Sequence, residues 1–254
     1  MSKHTIEAAG LVKKYKDVIA LHGVDLVASQ GDVLGVLGPN GAGKTTLMMI
    51  LAGLRFPSSG KVRINNIELN EKNKKSILQY VGIVFQENSL DMELTVAENL
   101  SVHAALFNIP KKDLAARVKA TIDKFKLKHI QDKVIKNLSG GQKQIVEIAK
   151  SMLHEPSILL FDEPTVGLDV EVRNNIWEII RNISKEKDKT ILITSHYLEE
   201  IEELCEKVVI LDKGKVILNR EISSLKSGKN KEVSVRFKQK IDKGQLEKQV
   251  GKEV

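Results

Sequence analysis

An apolar run, Val33 to Leu37, leads directly into Gly38-Pro39-Asn40-Gly41-Ala42-Gly43-Lys44-Thr45-Thr46, and the run Thr45 to Leu54 then reads as helix. No other feature constrains the fold as strongly. A strand, a G-x-x-x-x-G-K-[ST] turn and a helix make the first half of a crossover unit, which calls for a parallel neighbour strand. The glycines let successive backbone N–H groups turn toward one point, and the helix N-terminus adds its dipole. Lys44 supplies positive charge and the Thr45 hydroxyl suits a divalent cation, so the loop is built to hold the phosphates of a nucleotide.

The rest of the chain agrees with a layered α/β architecture. Short β-branched segments at Thr5 to Ala8, Val24 to Ala28, Lys61 to Ile64 and Tyr80 to Phe85 predict strands in the first third. From Leu114 the apolar spacing Leu114, Val118, Ile122, Phe125 predicts an amphipathic helix and a change to a helical region. Gln142 to Leu153 reads as a helix ended by Pro156, and Ile158 to Phe161 as a buried parallel strand. A helix through Val172, Ile176, Ile179 and Ile183 and a strand Thr190 to Thr194 continue the βαβ pattern. A hairpin, Val208 to Leu211 and Lys215 to Leu218, turns through Asp212-Lys213-Gly214. Beyond Ser223 the chain becomes polar, with one strand-like alternation at Glu232 to Phe237.

Two further motifs carry chemistry. Ile158-Leu-Leu-Phe-Asp162-Glu163 ends a buried strand in two carboxylates: Asp162 is placed to hold Mg²⁺ through its water shell, and Glu163 to activate or orient an attacking water. Leu138-Ser139-Gly140-Gly141-Gln142 puts a serine and two glycine amides at a helix N-terminus, a second anion site.

Composition excludes several classes. The 254 residues, 42% of them hydrophobic, can bury a substantial core without disulfides, and the lone cysteine, Cys205, reads as a buried structural thiol. The net charge of +7 comes from lysines interleaved with acids, without the aromatic-interleaved basic clusters that stack on bases. It therefore reads as a solvated surface, and no nucleic-acid partner is expected. The N-terminus lacks an apolar targeting core and no apolar run reaches the ~18 residues of a membrane span, so the chain is expected to be soluble by itself.

The order of these motifs resembles the ATP-binding subunit of an ABC transporter, over about Ile6 to Ile222. The resemblance implies an α/β P-loop NTPase with a RecA-like core, an N-terminal antiparallel β-lobe and an inserted α-helical subdomain at about 87–155. The ATPase domain would span 1–222, leaving 223–254 as a basic tail or a shortened β-lobe. It also implies a set of ATP contacts. Tyr15 stacks on adenine; Gly38, Pro39, Asn40, Gly41, Ala42, Gly43, Lys44, Thr45 and Thr46 cradle phosphate. Ser139, Gly140, Gly141, Gln142 and Asp169 come from an opposing cassette. Mg²⁺ falls to Thr45, Gln86 and Asp162, and catalysis to Glu163 and His196.

The partners implied are a separate transmembrane permease subunit and a second cassette, expected to be identical, at the cytoplasmic face of the membrane. No arginine-finger candidate occurs in the motifs, so charge on the γ-phosphate must be met by the facing cassette. The polar segment Glu87 to Met92 is expected to be mobile and to face the permease. The stretches Phe85 to Asp91, Thr165 to Asp169 and Ser195 to Glu200 look like those of daunorubicin-resistance and nodulation-type exporters. The alternative is a soluble ABC ATPase acting on ribosomes or DNA. Two positions depart from the family pattern: Ile145 stands where the signature helix usually carries arginine, and Val170 where proline is common.

Overall fold

The computed structural model describes residues 4–226, with the exception of Asn88, Asn108 and Lys187. The strand expected at Glu232 to Phe237 and the rest of the tail lie outside the described residues. Met1–Ile222 form one compact unit.

Two sheets organise that unit. Strands β1 (His4–Tyr15), β2 (Val18–Ser29), β4 (Ser59–Ile64) and β5 (Ile67–Glu68) form an antiparallel sheet in the order β2-β1-β4-β5. β3 (Val33–Leu37), β6 (Val81–Val84), β7 (Ile158–Asp162), β8 (Thr190–Ser195), β9 (Lys207–Asp212) and β10 (Lys215–Glu221) form the second, in the order β10-β9-β3-β8-β7-β6. In it only β10 runs antiparallel, through the expected hairpin. Every residue of β3, β7 and β8 is buried, as the continuous apolar runs of strands covered on both faces require.

The covers are visible in the packing. Helix α1 (Lys44–Leu51) lies in a core shared by both sheets, its Leu47, Met48 and Leu51 clustering with Leu26 of β2 and Leu160 of β7. On β3, Gly35 leaves no room for a side chain, since an added Cβ would stand 2.7 Å from Ile201 Cγ2 of α7 (Leu198–Leu204). Cys205, just past α7, is buried, and burial pushes its thiol pKa up, in keeping with a structural thiol.

β1 and β2 run much further than the short segments the sequence predicts. Gly10, at φ +58°, absorbs a ladder irregularity between Ala8 and Leu11, and its N–H donates to Asp25 Oδ1 at 2.8 Å. A glycine that looks like a strand end is thus a bulge inside a longer strand.

Between β6 and β7 the chain is helical: α3 (Val96–Leu106), α4 (Lys111–Lys124) and α5 (Gly140–Met152), with α2 (Lys74–Leu78) preceding β6. A single 3₁₀ turn, Ile135–Asn137, leads into the Leu138 motif. α6 (Val170–Ser184) follows β7, its apolar face carrying Ile176, Ile180 and Ile183 into the core.

Candidate functional site

Sheet register gathers the motifs. Leu37 of β3 pairs with Ser195 of β8, Asp162 of β7 with Thr194 of β8, and Val84 of β6 with Phe161 of β7. Gly38, His196, Glu163 and Gln86 therefore leave the carboxyl ends of four neighbouring parallel strands, where open α/β sheets bind ligands. A cavity of about 530 Å³ opens there, lined by Asn40 to Thr46, Gln86, Glu163, Lys213 and residues of the β2 start, Val18 to Ala20 and His22.

The loop after β3 is fixed by close approach. An added Cβ on Gly38 would stand 2.3 Å from the Leu211 carbonyl oxygen, and one on Gly43 (φ +104°) 2.6 Å from that of Ala20. Gly43 then precedes α1 with no side chain capping the helix. The first amides of α1 are left to whatever enters the cavity, which favours an anion.

Lys44 is buried, its Nζ donating to the carbonyls of Gly38 (2.7 Å) and Pro39 (3.1 Å) and pairing with Glu163 Oε1 at 2.9 Å. The second Glu163 oxygen accepts from His196 Nδ1 at 2.8 Å. Glu163 sits at φ +51°, a left-handed backbone that an L-residue adopts only at a cost of about 1–3 kcal/mol, and one that concentrates at functional sites. Its amide is held by Thr194, through both the carbonyl and the hydroxyl.

Asp162 is fully buried. One oxygen accepts from the Thr194 hydroxyl at 2.6 Å, while Oδ2 has no protein partner. Burial raises its carboxyl pKa, opposed by the Thr194 and Thr45 hydroxyls and by the Lys44 charge, with Glu163 adding to the rise. A buried carboxylate oxygen with no donor is costly unless a cation or water meets it. The hard oxygens of Asp162, Thr45 and Gln86 match the donor set that Mg²⁺ prefers.

The other expected contacts are not in this cavity. Ser139 and Gly140 are exposed at the start of α5, where Ser139 and Gln142 cap each other: Gln142 N donates to Ser139 Oγ (3.2 Å) and Ser139 N to Gln142 Oε1 (3.1 Å). Gly141 is pressed on Val172 of α6, whose Cγ1 would lie 2.3 Å from an added Cβ. Asp169 caps α6, accepting from Val172 N at 3.0 Å. Tyr15, at the end of β1 and exposed, does not line the cavity; Val18 and Ile19 do.

The sequence reading missed three groups. Thr194 ties the Asp162 carboxylate to the backbone amide of Glu163. Glu200, wholly buried, accepts from Thr165 Oγ1 and Trp177 Nε1 and so ties the loop after β7 to α6 and α7. Glu147 and Lys150 of α5, also buried, grip Ser89. The signal available for the last pair was two opposite charges three residues apart on the apolar side of a predicted helix.

Comparison with known proteins places these features in a family. Residues 21–166 match the family model described as ABC transporter. The Nod factor export ATP-binding protein I of Rhizobium sp. (strain N33) is 34% identical over 215 residues, covering 85% of this chain and 70% of that protein. The ABC transporter ATP-binding protein NatA of Bacillus subtilis (strain 168) is 34% identical over 233 residues, 91% of this chain and 94% of NatA. Among solved structures, cbiO1 from Clostridium perfringens, part of the transporter complex cbiONQ, superposes with a TM-score of 0.80 at 30% identity, over 89% of this chain and 91% of cbiO1. The dimeric post-hydrolysis structure of the cassette MJ0796 with ADP and Pi does so with a TM-score of 0.78 at 26% identity, over 85% and 98%.

Proposed function

The chain belongs to the ABC transporter family as an ATP-binding, ATP-hydrolysing subunit, and on that premise we propose that it powers export through a separate transmembrane subunit, as one of two facing cassettes. The observation that carries the reading is the contact chain Lys44, Glu163, His196 at the mouth of the β3 loop. In it one carboxylate bridges the phosphate-binding cation and a histidine. Lys44 and the amides of Gly41 to Thr46 receive the β- and γ-phosphates. Glu163 takes or orients the proton of the attacking water, and His196 holds that carboxylate and faces the γ-phosphate. Asp162, Thr45 and Gln86 would hold Mg²⁺, which would neutralise phosphate charge when bound. Tyr15 reaches the adenine beside Val18 and Ile19. Residues 1–222 act as the ATPase domain, with the helices between 87 and 155 as its subdomain.

Ser139, Gly140 and Asp169 are exposed and do not line the cavity at this chain's own phosphate loop; with Gly141 and Gln142 they complete the site of the opposing cassette. The MJ0796 cassette, solved as a dimer, supports that arrangement. Export is supported by the Nod factor relatives, and the permease surface by exposed apolar residues on α3, Val102 (53% exposed) and Leu106 (72%). Among the described residues no helix is long and apolar enough to cross a membrane.

The composite site has a direct test. Lys44→Ala and Ser139→Arg each damage one half of every site in a homodimer, whereas a mixed dimer keeps one whole site. Mixing the two purified variants is expected to restore part of the Mg²⁺-dependent ATP hydrolysis that each has lost. No recovery, with mixed dimers shown to form, would reject shared sites.

A further inference from the structure

Ser89 lies three residues beyond Gln86, in the segment whose polar sequence predicts mobility, and it is held by α5. Its N–H donates to Glu147 Oε1 at 2.5 Å, its hydroxyl lies 3.1 Å from both Glu147 oxygens, and Lys150 Nζ donates to the same hydroxyl at 2.5 Å. Glu147 and Lys150 pair directly at 2.7 Å and are 1% and 7% exposed. Such a buried ion pair is weak evidence for stability, because apolar residues of similar volume often do as well or better in such positions. Neighbouring bonds strengthen the attachment: Asp91 N donates to Asn99 Oδ1 at 2.8 Å, fixing the far end of the segment to α3.

We propose that Glu147 and Lys150 are positioning residues that lock the Gln86 segment to the signature helix. Displacement of Gln86 by nucleotide then displaces Ser139 to Gly141 as one body. This rests on the roles given above to Gln86 and Ser139, and extends them to residues that touch neither nucleotide nor metal. The geometry supplies the lever. α5 is a 13-residue helix with Ser139 as its N-cap, and Glu147 and Lys150 lie two to three turns along it. A rigid helix gripped at Ser89 cannot move there without moving its first turn. At that first turn Gly141 is seated on Val172 of α6, whose own cap is Asp169, so the motion reaches both motifs. Two opposed bonds to a single hydroxyl, one from an ammonium and one to a carboxylate, also fix the segment in one geometry, where a lone contact would let it pivot.

The test uses the full chain in a Glu163→Gln background. Two quantities are read: the affinity of dilute protein for a fluorescent ATP analogue, and the ATP concentration at which half the protein sediments as a dimer. The double variant Glu147→Gln/Lys150→Met leaves no lone buried charge. It is expected to keep nucleotide affinity within about twofold while raising the dimer midpoint about fivefold or more. Ser89→Ala, which leaves α5 intact, shifts the midpoint the same way by a smaller factor, and Ser89→Thr, which keeps the hydroxyl, stays near the parental value. A lower denaturation temperature with an unchanged dimer midpoint overturns the proposal in favour of a purely structural pair; if the double variant does not fold, an unchanged midpoint in Ser89→Ala overturns it. Parental protein that binds the analogue and never dimerises rejects the composite site and this inference together. Failure of the parent to bind the analogue rejects instead the nucleotide role of the β3 loop.

Discussion

Lys44 Nζ and His196 Nδ1 address opposite oxygens of one carboxylate, that of Glu163, at 2.9 and 2.8 Å. Lys44 also donates to the carbonyls of Gly38 and Pro39. A γ-phosphate competes for the same ammonium, so its arrival would loosen Glu163 from Lys44 and leave it to His196 and a water. Glu163→Gln keeps the shape and removes the base. Phosphate release should fall by about 10²-fold or more while nucleotide affinity survives. Steady-state hydrolysis and a nucleotide titration on the same preparation check both halves, and parental turnover in the variant would remove Glu163 from the chemistry.

Gly38 and Gly41 separate steric from conformational need within one loop. An alanine at Gly38 meets the backbone oxygen of Leu211, which cannot swing aside, and the loop must shift at a cost of about 1–3 kcal/mol. At Gly41 nothing lies within 4 Å of an added Cβ, and only the left-handed backbone, φ +78°, opposes it, at about 1–2 kcal/mol. Gly38→Ala should therefore lose both urea resistance and nucleotide binding, with Gly41→Ala closer to the parent in binding. The reverse order would show that the loop is not seated against β9.

The exposed apolar pair on α3 gives a prediction for the permease. Val102→Glu and Leu106→Glu change solvent-facing positions, and stability should stay within about 0.5 kcal/mol of the parent. Co-purification with a co-expressed transmembrane subunit should fail. Ile217→Glu, an exposed apolar position on β10, serves as control and should co-purify normally. Asn88, in the segment expected to face the permease, lies outside the described residues, so a crosslinking cysteine is better placed at Met92, which is exposed.

His103 and His154 pack around Phe107, the His154 and Phe107 rings stacked at 3.8 Å, and burial lowers both imidazole pKa values to about 4. Lys150 adds to the lowering at His103; at His154 the hydrogen bond to the Val81 carbonyl opposes it and Lys189 adds to it. Below the usual histidine pKa near 6.5 the unfolded chain binds protons that the folded chain refuses, so stability rises with pH. The contribution is complete above about 6.5 and is lost as pH falls toward 4. Urea midpoints measured from pH 7.5 to 4.5 should decline, and His103→Leu should reduce the slope. Equal slopes in parent and variant would mean that His103 titrates normally.

Much of this was legible in the chain because the signals were local. The β3 loop, the carboxylates ending β7 and the serine capping α5 each depend on neighbours in sequence, and a sheet of parallel strands with crossovers follows from βαβ connectivity. Even α3, inside the helical subdomain expected at about 87–155, carried a local signal: Thr95-Val-Ala-Glu98 forms a reciprocal capping box. What stayed hidden depends on pairings across many residues. Gly10 reads as a strand end because only the partner strand, through Asp25, shows it to be a bulge. Ser89 reads as part of a free loop because its anchors lie 58 and 61 residues away. Thr194 looks like one more β-branched strand residue until β7 is laid beside β8.

The mutual cap of Ser139 and Gln142 bears on how firmly two such chains can hold each other. A phosphate approaching α5 meets a helix end whose Gln142 amide is already engaged by the serine hydroxyl. The serine oxygen only accepts in that bond and keeps its own proton for the phosphate, but to recruit the Gln142 amide the phosphate must displace the serine oxygen, and the net gain from that amide is the difference between two satisfied helix ends. Contact through this end is therefore shallow and easily reversed. That suits a cycle in which letting go must be as rapid as closing, and it predisposes the free chain to stay single at low nucleotide concentration.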